Sequence, residues 1–210
     1  MRNGAPLEMM PSHDLDLCHA PRMTGGFDNG VGAADVLSFW FEEHGRTEWF
    51  GGAAAFDQRV TDRFQCTHAR AVMNELVDWR RTPEGRLAEI IVLDQFSRQL
   101  YRRQARAFAA DSQALALAQE LVLRGDDVKL EGARRLFAYM PYMHSESRAV
   151  QEESVRLFSS FDEESQRFAS EHRDLIVRFG RYPYRNEVLG RENTSEESSY
   201  LTSVHNSFGQ

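Results

Sequence analysis

Apolar residues recur along this chain at helical spacing and almost nowhere in alternation. In "ADVLSFWFEEHG", Val36, Leu37, Trp40 and Phe41 fall at i, i+1, i+4 and i+5, which predicts a short amphipathic helix stopped at Gly45. Phe56, Val60, Phe64 and Ala71 share one side of a longer helix expected over 53–73. "NELVDWRR" fits neither period cleanly. "TPEG" is a start signal: Thr82 is placed to cap, and Pro83 sits at the first helical position, where its missing N–H costs nothing. That helix is expected to run to about Tyr101. "DSQALALAQELVLRG" follows, with Asp111 as its expected N-cap and Gly125 past its end. "EGARRLFAYM" should be ended or bent by Pro141. "SESRAVQEESVRLFSSF" and "DEESQRFASEHRDLIVRFG" come next, the second stopped by Gly180. "TSEESSYL" offers a capping box between Thr194 and Glu197. No alternating run is long enough for a sheet. The pattern predicts an all-α fold of about seven to nine helices around one core. Residues 33–210 are expected to form it as one domain, and residues 1–32 to be a flexible leader.

Some polar residues interrupt the apolar faces. In "PEGRLAEIIVLDQFSRQLY", Leu87, Ile90, Ile91, Asp94, Arg98 and Tyr101 share one stripe, while Leu93, Phe96 and Leu100 make another apolar side. A helix apolar on most sides is central, so Asp94 is expected inside the core with Arg98 one turn on. A buried carboxylate needs a partner. Either the two form an i, i+4 cross-link, or both line a polar pocket. His172 repeats the anomaly, since Phe168, His172, Leu175, Ile176 and Phe179 fall on one stripe. In "FAYMPYMHSES", a Met-rich aromatic turn delivers His144 and Glu146 before the next helix. Glu146 suits the positive end of that helix, whereas His144 beside a carboxylate is a natural acid/base unit.

Charge narrows the function classes. The chain of 210 residues carries a formal net charge of −7, which argues against a dedicated nucleic-acid binder. No apolar run is long enough to span a membrane, and no secretory signal is readable, so a cytoplasmic location is expected. Cys18 and Cys66 are too few and too far apart for a disulfide scaffold or a Cys-based zinc site. Asp94, His144, Glu146 and His172 have ligand chemistry but no diagnostic metal spacing. No Gly-rich phosphate loop or nucleophile elbow is present, and no cofactor is expected.

The blocks "DVLSFWF", "WFGG", "LDQFSRQLYR", "ARAFAAD", "YMPYMHSE" and "EHRDLIVRFGRYPYRNEVLGRENT" resemble, in order, those of the bacterial family called domain of unknown function 924. The resemblance covers residues 33–210. It implies a TPR-like right-handed array of helix pairs and does not imply an activity. Asp94, Gln95, Arg98, His144, Ser145, Glu146, His172, Arg173, Arg181, Arg185 and Asn186 match positions characteristic of the family. The chain departs at Ser97 and Gln99, where the family usually has Pro and Asn. It also departs at Tyr184, where His is usual, and at Asn193, where Ser is usual.

These readings lead to an expected polar pocket between helices that binds a small anionic metabolite and transforms it by acid/base chemistry. Asp94, His144, Glu146 and His172 are the catalytic candidates. Arg98, Arg181 and Arg185 would grip the anion, with Tyr184, Trp40 and Tyr142 in the wall beside Trp49 and Tyr182. The alternative is a TPR-like interaction module with a peptide groove and no catalysis. A third reading makes every polar residue a core cross-link. Oligomeric state is not readable.

Overall fold

The computed structural model describes residues 30–203. The expected leader, apart from its last few residues, therefore lies outside the described part. Among the described residues there are nine helices and no strand. No helix is long and apolar enough to cross a membrane.

α1 (Ala33–Phe41), α2 (Arg46–Gly51) and α3 (Ala54–Val72) come first. α4 begins at Pro83–Ile91, widens into a π turn at Val92–Phe96, and closes as Ser97–Leu100. α5 (Asp111–Leu123), α6 (Gly132–His144), α7 (Arg148–Phe158), α8 (Glu163–Phe179) and α9 (Ser195–Ser203) complete the order. α4 is the hub: α1, α3, α5 and α6 all pack on it, and α5 to α8 each pack on the next. Its apolar flanks explain this. Leu87, Ala88, Ile90, Ile91, Val92, Leu93 and Phe96 are all fully buried.

Trp40 anchors the aromatic part of the core. Its ring meets Phe137 at 5.3 Å, Phe96 at 5.7 Å and Trp49 at 5.9 Å. Edge-on and offset contacts of this kind add to the burial term.

The local signals mostly act as written. Thr82 accepts the Gly85 N–H at 3.0 Å, with Pro83 at the first helical position. Thr194 and Glu197 exchange reciprocal bonds of 3.1 and 2.7 Å. Gly180 closes α8 at φ +72°, in the left-handed region open to glycine. Gly85 is needed for space rather than conformation. A Cβ there would stand 2.1 Å from the Trp79 carbonyl oxygen. Gly85→Ala should therefore lower unfolding free energy by about 2 kcal/mol, as overpacking does. Urea titration checks this, and an unchanged midpoint would show that the 3₁₀ turn at Val77–Arg81 yields freely.

Two expectations need correction. Pro141 does not end α6; the helix runs on to His144, held by burial of every residue from Phe137 to His144. Asp111 is the first residue of α5 rather than its cap, because its carboxylate is taken by arginines. Cys66 is disulfide-bonded.

Candidate functional site

The π turn places Asp94 at the centre of the helix bundle, fully buried. Such turns insert one extra residue into the helical ladder and often mark functional positions. Asp94 Oδ1 lies 2.7 Å from His144 Nδ1, at the last turn of α6, and 3.2 Å from an Arg98 nitrogen. Gln95 donates to Oδ2 at 2.6 Å. Burial alone would favour the neutral acid. The His144 ring, the Arg98 cation and these bonds outweigh it and hold the carboxyl well below its ordinary value. An ionised Asp94 only accepts, so His144 Nδ1 carries the proton and donates. Burial, then the Arg98 charge, lower the imidazole below its usual value against the pull of Asp94. The ring is therefore neutral near pH 7, with Nε2 unprotonated.

His144 lines a cavity of about 810 Å³ among the described residues, within the size range of small-molecule sites. Ala105, Phe108, Ala109, Leu115 and Leu189 give it hydrocarbon walls. Arg106, Asp111, Glu146, Arg185 and Arg191 supply charge, and Ser112 and Ser145 hydroxyls. With Nδ1 committed to Asp94, Nε2 is the ring nitrogen left for this space.

The arginines divide. Arg98 bonds both Asp111 oxygens, at 3.0 and 3.2 Å, and Arg185 meets the same carboxylate at 3.1 Å. Burial disfavours the Arg98 cation, but Asp111 and Asp94 more than compensate. Arg185 is 4% exposed and lies over the rings of Phe108 and Tyr182, at 4.4 and 4.7 Å. Arg181 turns the other way: it grips Glu197 with two bonds and ties α9 to the segment before it.

The other sequence candidates take varied places. Glu146 lines the cavity, bonded to Arg191 and to the Tyr182 N–H rather than to Arg185. His172 is buried and outside the cavity lining, its Nδ1 donating to the Phe168 carbonyl at 2.8 Å. Burial lowers its pKa to about 3. Tyr184 stacks on Tyr182 at 5.2 Å, and burial pushes its phenol up. Trp40 and Tyr142 are core residues outside the cavity lining; Trp40 is fully buried among aromatics, and the Tyr142 carbonyl faces Gln151. Trp49 and Tyr182 likewise do not line it. Among the described residues no three of His, Cys, Asp and Glu side chains are grouped to hold a metal ion.

The chain matches, over residues 36–204, the family described as bacterial protein of unknown function (DUF924). It belongs to that family. A solved structure of a protein of unknown function from Agrobacterium tumefaciens is similar to it at 39% identity, with a TM-score of 0.79. The similarity covers 82% of this chain and 97% of that one. No curated protein compared matches.

Within this DUF924 chain, Ser97 stands where the resemblance led one to expect Pro. Its hydroxyl donates to the Leu93 carbonyl across the π turn and contacts His68 Nε2 at 2.8 Å. Several site residues were not singled out by periodicity. Asp111 was read as a cap. Arg106, Arg191 and Ser112 sit in turns or at a helix start, where no apolar face makes a polar residue conspicuous. Glu89 was also missed: it is fully buried in α4 and held by Arg80 at 2.6 and 2.7 Å, yet it lines no part of the cavity. Buried charge alone therefore does not mark a site in this fold. What sets Asp94 apart is its coupling to a titratable ring at a cavity wall.

Proposed function

We propose that the protein binds a small organic anion in the 810 Å³ cavity and moves a proton on it, with His144 Nε2 as the base and Asp94 as its orienting partner. One observation carries this reading. A buried, ionised carboxylate holds Nδ1 of a neutral imidazole at 2.7 Å, and the same imidazole lines the cavity. A carboxylate in that position fixes the tautomer and stabilises the imidazolium once a proton arrives. A structural pair would do without a ring nitrogen left over on a cavity wall, as Arg80 and Glu89 do.

The charge of the wall supports an anionic ligand. Arg106, Arg185 and Arg191 are among its described lining residues, beside Asp111 and Glu146. Catalytic roles are assigned to His144 alone, with Asp94 positioning it; Glu146 is bonded to Arg191 and the Tyr182 N–H, and His172 to the Phe168 carbonyl.

The test is nitrogen-resolved NMR of the histidine side chains. Free protein should show His144 as the Nδ1–H tautomer, and a small-molecule screen should yield compounds that shift its Nε2 resonance. A protonated Nε2 in the free protein at pH 7 would remove the proposed base. Hits that leave that resonance unmoved would remove its link to the ligand.

A further inference from the structure

On the cavity wall, Arg191 is held differently from Arg185. Its two terminal nitrogens meet the two carboxylate oxygens of Glu146 at 3.0 and 2.9 Å, a planar fork on a planar carboxylate. Both side chains are 27% exposed. A pair that retains this much solvent contributes little to stability, so exchanging it costs little. Glu146 also has a second partner, since its Oε1 accepts the Tyr182 N–H at 2.8 Å. It can release the guanidinium without being stranded. Arg98 and Arg185 have no such freedom, being 11% and 4% exposed and joined through Asp111.

We propose that Arg191 is the recognition residue for a carboxylate-headed ligand with an apolar body, and that Glu146 is the internal carboxylate it exchanges against. The proposal rests on the cavity being a ligand site. The resident partner already displays the geometry the ligand head would take, which favours a carboxylate over a tetrahedral phosphate. Phe108, Leu115 and Leu189 give the remainder of the ligand hydrocarbon to lie on. Arg191 and Glu146 line the same cavity as His144, so a ligand held by its carboxylate presents its body to the imidazole.

The experiment is isothermal titration of the full chain with octanoate, 1-octanol and inorganic phosphate, beside the same titrations of Arg191→Gln, Arg191→Lys and Glu146→Gln. Octanoate should bind at least about tenfold more tightly than 1-octanol, the worth of one charge-assisted hydrogen bond. Arg191→Gln should lose about tenfold or more. Arg191→Lys should recover only part, since it keeps the charge but not the fork. Glu146→Gln should bind octanoate about threefold or more tightly, because a competing charge is gone. Equal binding of octanoate and octanol, no octanoate binding, tighter binding of phosphate, or an unaffected Arg191→Gln each overturns the proposal. The His144 Nε2 resonance, followed in the same samples, separates it from the proton-transfer reading. Octanoate bound through Arg191 with that resonance unmoved keeps the carboxylate site and sinks the base. A different compound that shifts it while octanoate fails does the reverse.

Discussion

Asp94→Asn is expected to cost about 3–5 kcal/mol of unfolding free energy at pH 7, the usual penalty for removing one partner of a buried ionic group. For a chain of this size each kcal/mol is worth roughly 2–4 °C, so the melting temperature should fall by roughly 10 °C. Asn is nearly isosteric with Asp, so no cavity opens and the loss reports charge. Asp94 is fully buried and serves His144 and Arg98 at once. Without its charge, Arg98 depends on Asp111, which Arg185 also uses. The pH dependence follows from the direction of the Asp94 shift. A carboxyl depressed in the fold contributes stability that is in place above its unfolded value near 4 and is lost as pH falls below it. At pH 3 the variant and the wild type should therefore differ less than at pH 7. Urea denaturation at both values measures this, and a pH 7 loss under about 1 kcal/mol would mean that packing, not charge, joins α4 to α6.

Acid should weaken the protein well before any carboxylate titrates. His68 and His172 are buried, with pKa values lowered to about 4 and about 3. For each, burial is the main cause; Arg106 adds to it at His68, while at His172 the Phe168 bond opposes it and neighbouring charges add to it. His144 is lowered too. The unfolded chain takes up these protons near pH 6.5 and the folded chain does not. Stability is thus complete above about pH 6.5 and declines as pH falls toward the folded values. Each histidine contributes about 1.4 kcal/mol per pH unit over that interval, so two of them should remove about 4 kcal/mol between pH 6.5 and pH 5. Denaturation midpoints at pH 7, 6 and 5 give the slope. His172→Gln should reduce that slope by one proton's worth, and a stability independent of pH over this range would show that the rings are solvated.

The residues themselves explain why part of this was readable in advance. Thr82, Pro83, Gly180 and the Thr194–Glu197 box act within four residues of their own positions, and each formed where the sequence put it. Asp94 and Arg98 stood out because a charge on an apolar stripe must be buried and must be paired, and the i, i+4 contact formed at 3.2 Å. His144 was conspicuous for lacking any local role.

The partners of these groups were not readable, because each choice is made across the bundle. Arg181 and Arg185 looked equivalent on one short turn. The compact turn at Pro183–Arg185 sends Arg185 to Asp111, 74 residues away, and leaves Arg181 beside Glu197. Asp111 has a capping residue's chemistry, but two guanidinium groups arrive from α4 and from that turn and outbid its own helix. Trp40 and Tyr142 have the amphipathic rings of a binding wall, yet both are buried outside the cavity lining, Trp40 among aromatic rings. Pro141 lacks an N–H, and the packing of Phe137 to His144 carries α6 past it.

Local backbone and side-chain chemistry determined the helices, their caps, the central place of α4 and the need to pair Asp94. Only the tertiary structure decided which arginine meets which carboxylate, that His144 rather than His172 lines a cavity, and that Arg191 holds Glu146 there. The physical reason is range. Helical periodicity and capping are set over a turn or two of chain, whereas the electrostatic balance of a buried charge depends on every element packed around it.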